Sequence, residues 1–466
     1  MFVAGRWEEG TTQAEVRSPW SGAVVSRVAQ ADAAAVERAL AFASDSRARL
    51  AAQSSHARRK VLTGIAQGLE AKAAELARAI SDESGKPIGA ARVEVARAVE
   101  TFTLAAAEVT APSGVAMAFD SLASAVGTEG EVRRFPAGVV VGIVPFNFPL
   151  NLGAHKVAPA LATGCPIIVK PPPQAPGAQL LLARLAADAG ADPAALQVLP
   201  CSNEVAEKLA TDLRVRVLSF TGSARVGWHL KSKAAGKVVL ELGGNAAAIV
   251  CADADLGVAA GRLALSGFNA AGQVCIKVQR IIVEAPVYDA FVEGFLREVA
   301  KLAVGDPSVD STVIGPVIDD GAANRIETWI DEAQKAGAKP LLRGRREGRV
   351  LWPTVLGDVP RDAKVRCEEV FGPVVVVSKA VDFGAALHEA NDSQWGLQAG
   401  VFTNDWRKAR QAFHALEVGG VVVNDAPSFR ADAQPYGGVK GSGLGREGLR
   451  SAMADYTEER TLVWRP

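Results

Sequence analysis

Val139-Val140-Val141-Gly142-Ile143-Val144-Pro145-Phe146-Asn147-Phe148-Pro149 is the stretch that decides how this 466-residue chain is read. Its first six residues are β-branched except for one glycine, and two prolines then stop the run. A segment with no polar side is covered on both faces, as inner strands of parallel sheets are. Working outward, the same texture predicts strands over 166–169, 195–199, 215–220 and 238–242, with helices over 151–163, 175–189, 204–211 and 223–234 between them. Buried strands alternating with helices define an α/β fold, whose ligands bind at the carboxyl ends of the strands.

A second βα series runs from about 246 to 424, with strands near 280–283, 374–377 and 419–423. Upstream, residues 1–30 read as short strand pieces broken by turns such as Ser18-Pro19-Trp20-Ser21-Gly22. Helical patterns follow from Asp32, over 55–84 up to Gly85, and over 88–110. Residues 117–135 read as a hairpin turning at Gly127-Thr128-Glu129-Gly130, exposed enough to need a cover such as a partner subunit. Gly437 to Gly448 reads as a glycine-dense linker, and 461–464 as a last strand.

Composition removes several function classes. Lys+Arg and Asp+Glu both total 51, so no global field favours nucleic acid or an anionic membrane. The N-terminus turns polar too early for a signal peptide. The longest apolar stretch, 157–169, is broken by Pro159, Gly164 and Pro166 and does not span a bilayer. Five scattered cysteines, with no C-x-x-C pair and no histidine cluster, point to a reducing cytoplasm and away from a zinc site or disulfide framework. No metal-ligand spacing is present.

Chemistry-bearing residues sit where the strands end. Cys275 lies between the small-residue turn Ala270-Ala271-Gly272 and the apolar run Ile276–Val278, a place for an exposed thiolate nucleophile or for a small core residue. Asn147, on a turn stiffened by Pro145 and Pro149, offers an uncharged amide to a developing oxyanion, or forms an Asx turn. Lys170 leaves a buried strand toward a nucleotide or toward solvent. In Phe220-Thr221-Gly222-Ser223 a glycine and a hydroxyl open a helix, which suits an anion but lacks the G-x-G-x-x-G fingerprint. Glu241, followed by Leu242-Gly243-Gly244-Asn245, reads as a general base of raised pKa or as a solvated strand end. Glu369 and Phe371 on a turn fit a ribose and a flat ring, or a turn with a core phenylalanine.

Taken together, Pro145-Phe146-Asn147-Phe148-Pro149, Lys170-Pro171, Phe220-Thr221-Gly222-Ser223, Glu241-Leu242-Gly243-Gly244-Asn245, Gly272-Gln273-Val274-Cys275 and Glu369-Val370-Phe371-Gly372-Pro373 resemble the aldehyde dehydrogenase superfamily over nearly the whole chain. The resemblance implies two Rossmann-like open-sheet domains plus a small β oligomerisation arm. The cofactor-binding domain would take 1–116 and 136–242, the catalytic domain 243–436, and the arm 117–135 and 449–466, with 437–448 as linker. It implies Cys275 as nucleophile, Glu241 as the base for the deacylating water, and Asn147 with the Cys275 N–H as oxyanion hole. Lys156 and Glu447 match polar positions near the base. Pro145, Phe146, Lys170, Gly222, Ser223, Gly243, Glu369 and Phe371 would line the cofactor site. A homodimer or homotetramer is implied.

Many NAD-preferring members carry glutamate where this chain has Pro173, so NADP is expected to be accepted beside NAD. The segment 424–438 is similar to members acting on small polar aldehydes such as lactaldehyde, glyceraldehyde 3-phosphate and phosphonoacetaldehyde. Arg430, with Phe429 beside it on a mobile-looking loop, would anchor an anionic tail, or is a surface or intersubunit arginine. Two rivals stand against hydrolytic oxidation. One is a coenzyme A-acylating enzyme, which a resident base disfavours. The other is a non-catalytic structural homologue, which the intact Cys275, Glu241 and Asn147 disfavour.

Overall fold

The computed structural model describes residues 1–111 and 114–465; Pro112 and Ser113, inside the expected cofactor-binding domain, and the terminal Pro466 lie outside the described residues. All five predicted strands of the first series join one sheet, in the order Leu196–Val198, Ile167–Lys170, Val139–Ile143, Val215–Thr221, Lys237–Glu241, every neighbour parallel. Register matters more than order here. Ile143 pairs with Lys170 and with Phe220, and Thr221 pairs with Glu241. The strands therefore end together, and the segments carrying Asn147, Lys170, Ser223 and Glu241 leave from one edge of the sheet.

The flanks differ from expectation. At one side Phe2–Val3 and Arg6–Trp7 extend this sheet, so the first residues of the chain are an edge strand of it. At the other, Gly443–Leu444 pairs antiparallel with Leu240 and Glu241, while Val439–Lys440 pairs with Trp395–Gly396. The glycine-dense segment is thus no free linker; it ties the two halves together. Gly443 is required there, with φ 153° and a would-be Cβ 2.3 Å from the Leu240 carbonyl oxygen.

The second sheet runs Lys339–Leu342, Thr354–Gly357, Val374–Ala380, Arg280–Glu284, Ala247–Val250, Gln398–Phe402, Gly420–Val423, parallel except for the first. Thr354–Gly357 and Gln398–Phe402 escaped the sequence reading because each is short and holds a polar residue and a glycine. The helix expected over 55–84 is two helices, Ser55–Ala71 and Ala73–Ser84, broken at Lys72.

The arm is narrower than expected. Gly114–Ala118, Glu129–Pro136 and Thr457–Trp464 form a three-stranded antiparallel sheet. Ala118 pairs with Glu129, so Glu129 and Gly130 lie in a strand, not a turn, and residues 119–128 make the connection. The helix Leu449–Asp455 is outside the arm. Leu449 and Tyr456 are buried in the core with Val157 and Leu161.

Between sheet and helices, a fully buried carboxylate sets the start of the helix Asn151–Thr163. Glu94 accepts from the Leu150 and Asn151 N–H groups at 2.8 and 3.1 Å. The Lys86 ammonium holds its other oxygen and lies 3.6 Å over the Phe148 ring. Those helix-start donors have no partner within the helix, so a buried anion is doubly favourable there. Glu94→Ala leaves Lys86 buried without a countercharge, and the expected loss is about 3–5 kcal/mol in urea unfolding. A loss below about 1 kcal/mol would remove Glu94 as the clamp.

Candidate active site

The cysteine segment is built by an unusual turn. After the helix Leu256–Phe268, Ala270, Ala271 and Gly272 adopt φ of 51°, 56° and 67° in succession. Each alanine in that left-handed region costs about 1–2 kcal/mol, so surrounding contacts must impose the shape. Gln273 supplies them. Its side-chain oxygen accepts from Ile318 N–H at 2.9 Å, and its backbone oxygen accepts from the Asn147 amide at 2.9 Å. Cys275 follows two residues later on irregular backbone, half-buried, because the strand begins only at Arg280. Its Sγ lies 3.3 Å from the Tyr436 hydroxyl.

Asn147 is therefore placed against the cysteine turn from the opposite sheet. One amide hydrogen bonds Gln273, which leaves a second for a ligand. Glu241 comes from the same sheet edge and is 1% exposed, yet neither carboxylate oxygen has a hydrogen-bond partner among the described residues. Burial, then the Glu447 charge, pushes it well above the usual carboxylate range. Burial followed by the Glu241 charge likewise pushes the Cys275 thiol up.

Glu447 has the opposite fate. Although it is equally buried, Lys156 at 2.8 Å and Arg430 at 3.3 Å hold it down at about 2 against that burial. Lys156 Nζ also donates to Thr221 Oγ1 at 2.7 Å and Ser219 Oγ at 3.1 Å, which fills all three of its donors. Two buried carboxylates thus share one cluster and shift in opposite directions, because the ion pairs with Lys156 and Arg430 form on only one of them.

Arg430 is not a surface side chain. Its side chain is 5% exposed, and its guanidinium lies 3.8 Å over the Tyr436 ring. Asp432, gripped by Arg97 at 2.7 and 3.1 Å and by His155 at 2.9 Å, fixes the loop beside it. Phe429, in contrast, is 50% exposed.

The remaining predicted residues line the sheet edge. Lys170 is buried at its strand end, and burial lowers its pKa. Ser223 caps the helix Ala224–Lys233 by position only, its hydroxyl making no bond to the helix. The Gly222 N–H donates to the Glu241 carbonyl at 3.1 Å. Pro145 and Phe146 are half-buried, and Phe146 meets Phe371 edge-to-face at 5.9 Å. Glu369, raised to about 7 by burial, accepts from Gly244 N–H at 3.2 Å. A Cβ on Gly243 would meet the Glu369 carboxylate at 2.0 Å, so any larger residue there must displace that side chain.

Sequence reasoning gave no role to Tyr436, Gln273 or Thr221, whose partners are remote in the chain and carry no local signal. It also saw no metal-ligand spacing, whereas the fold gathers Cys251, Asp253 and Glu284 within 4.8 Å of one another. Lys408 pairs with both carboxylates of that group at 3.2 and 3.1 Å and supplies its positive charge.

A cysteine after a strained turn, an amide bonded to that turn and a buried acid of raised pKa at the adjoining sheet edge are the features of an α/β enzyme. The sequence matches the aldehyde dehydrogenase family over residues 7–462, and the chain belongs to that family. It is 41% identical over 465 residues to a 3-sulfolactaldehyde dehydrogenase of Priestia aryabhattai, covering 99% of this chain and 97% of the relative. Among solved structures it is similar to aldehyde dehydrogenase 21 of Physcomitrella patens, in complex with the reaction product succinate. That match has TM-score 0.96 and 40% identity over 100% of this chain and 97% of the other. It is also similar to the glyceraldehyde-3-phosphate dehydrogenase GapN of Methanocaldococcus jannaschii, complexed with NADP, with TM-score 0.93 and 36% identity over 97% and 99%.

The raised pKa of Glu241 makes stability depend on pH. Folded Glu241 keeps its proton to higher pH than in the unfolded chain, where the value is near 4.5. The native state then binds the extra proton above that value, so its stability falls as pH rises through the window between the two. Glu241→Gln removes this loss. Its melting temperature should exceed the parent's at about pH 8 and match it at about pH 4, as read by thermal unfolding. Equal gains at both pH values would contradict a raised Glu241.

Proposed function

We propose that the chain oxidises a small polar or anionic aldehyde to its carboxylic acid with NAD(P)+, through a thioester on Cys275 that water activated by Glu241 hydrolyses. The observation that carries this reading is the Glu241 carboxylate, buried with both oxygens unpartnered in the electrostatic neighbourhood of Cys275. A buried carboxyl of raised pKa with no protein partner is suited to exchange a proton with water.

The residues at the sheet edge fit a dinucleotide. An uncommitted Ser223 hydroxyl at a helix N-terminus suits phosphate, and Lys170 and Glu369 suit ribose hydroxyls. The Phe371 ring flanks a flat ring, with Pro145, Phe146, Gly222 and Gly243 shaping the walls. The first sheet, in 1–116 and 136–242, is thereby assigned to the cofactor, and 243–436 to the nucleophile.

In the reaction the Cys275 thiolate adds to the aldehyde carbon, and the new alkoxide accepts hydrogen bonds from Asn147 and the Cys275 N–H. The bound nicotinamide supplies one thing, an acceptor for the hydride. Cys275 then carries the acyl group as a thioester. Glu241, once ionised, takes a proton from water, which attacks the thioester and returns the thiolate. Lys156 and Arg430 neutralise Glu447, so that only one negative charge need form beside the thioester.

Arg430 remains the candidate anchor for an anionic tail, since its Nε is buried without an acceptor among the described residues. The 3-sulfolactaldehyde and glyceraldehyde-3-phosphate relatives and the succinate-bound neighbour support an anionic substrate. Pro173, exposed beyond Lys170, presents no carboxylate to repel a 2′-phosphate, and a relative complexed with NADP supports its acceptance. The exposed arm strands, with Val115, Met117, Leu462, Val463 and Trp464 outward, suit a second copy in a homodimer or homotetramer. A monomer in sedimentation would remove that assignment. No described helix is long and apolar enough to cross a membrane, and sparse free cysteines support a cytoplasmic site.

Glu241→Gln should still release about one NAD(P)H per active site in a rapid burst, with turnover afterwards about 10²–10⁴-fold slower and an acyl adduct on Cys275 by mass spectrometry. Parent turnover should need no coenzyme A; dependence on it would transfer the chain to the acylating class. Run with both cofactors on matched anionic and neutral aldehydes, Pro173→Glu should move preference toward NAD by about tenfold. In the same panel Arg430→Met should raise KM mainly for the anionic aldehyde. An unmoved cofactor ratio, or equal KM losses, would dismiss the respective residue.

A further inference from the structure

Among the described residues, Cys275 Sγ has one hydrogen-bond partner, the Tyr436 hydroxyl at 3.3 Å. Tyr436 is 2% exposed and packs against Ile276 and Leu397. Its backbone is fixed on Glu447, whose carbonyl accepts the Tyr436 N–H at 2.9 Å. The Arg430 guanidinium covers its ring at 3.8 Å and is itself held by Glu447. A cation on the ring face draws electron density from the phenol and makes its O–H a stronger donor. Burial and the Cys275 and Glu241 charges keep the phenol protonated well above its usual range. A phenol that keeps its proton can only donate to an ionised sulfur.

Other forces on this cysteine oppose ionisation. Burial and the Glu241 carboxylate both disfavour the thiolate, while the Tyr436 hydrogen bond and the Arg430 charge favour it. We infer that Tyr436 is the donor that stabilises the Cys275 thiolate, placed by the Glu447 bridge and polarised by Arg430 above its ring. The inference rests on the reading of Cys275 as nucleophile. It makes the buried Lys156–Glu447–Arg430 cluster a support for the sulfur as well as a neighbour of the base.

Tyr436→Phe keeps the ring and deletes the donor. Iodoacetamide reports the thiolate directly: an S–C bond forms, iodide leaves, and the thiol proton passes to solvent. Its rate on the full-length protein is followed across pH on the Cys275 peptide by mass spectrometry, which separates it from the other four cysteines. The midpoint of alkylation should rise by about one pH unit in Tyr436→Phe, a loss of about tenfold in rate near neutral pH. The kcat/KM for aldehyde should fall in parallel and recover as pH is raised, which a misplaced ring would not allow. Replacing the three tyrosines with 3-fluorotyrosine, a stronger acid of nearly the same shape, should move the midpoint down. An unshifted midpoint in Tyr436→Phe, or a loss equal at every pH, overturns the inference. A Cys275→Ala protein that keeps dehydrogenase activity overturns instead the nucleophile reading beneath it.

Discussion

The ion pair between Lys156 and Glu447 is the constraint from which the site takes its electrostatics. Both groups are buried, and an isolated charge at either place would be strongly unfavourable. Together with Arg430, Thr221 and Ser219 they form a filled network with its charge pinned on Glu447. Glu241 sits in the same field without a donor of its own, so its pKa is pushed up where that of Glu447 is held down. The difference between two glutamates in one cluster is the placement of two cations. This asymmetry makes one of them available for proton transfer.

The second constraint is mechanical. Cys275 belongs to one sheet's domain, while Asn147 and Glu241 belong to the other's. Among the contacts that bridge them are the Asn147 amide on the Gln273 carbonyl and the antiparallel pairing of Gly443–Leu444 with the end of the first sheet. Three consecutive left-handed residues before Gln273 persist only because such contacts over-determine them. Ser442 completes the join, donating to the Gly243 carbonyl at 2.8 Å and accepting from the Gly396 N–H at 3.0 Å. The segment that crosses between the sheets also carries Tyr436 and Glu447, so the geometry of the cleft and its charge are set by one piece of chain.

The sheet edge shows the same economy of means. Parallel pairing aligns the strand ends, and the residue following each strand inherits its position from the register. Lys170, Gly222 and Glu241 need no individual positioning device once Ile143, Lys170, Thr221 and Glu241 are paired as they are. Glu94 and Lys86, below the start of the helix Asn151–Thr163, then fix the turn that holds Asn147.

Much of this was legible in the linear chain. Runs such as Val139–Ile143 and Ile167–Val169 are apolar on both sides and suit a buried strand, so the five parallel strands of the first sheet followed from hydrophobic pattern. The motifs around Asn147, Glu241 and Cys275 were readable because each pairs a reactive group with local turn chemistry. The short strand Gln398–Phe402 was not, since the strand that covers one side of it, Ala247–Val250, is remote in sequence. Nor was the role of Gly437–Gly448, where glycines that look like flexibility instead permit close backbone approach. The state of each charge lay furthest from reach. Composition places glutamates at 241 and 447 alike, but only the fold decides that Lys156 and Arg430 stand beside the second and that Tyr436 meets the sulfur. Pattern is a property of neighbours along the chain, whereas pKa and hydrogen bonding belong to neighbours in space.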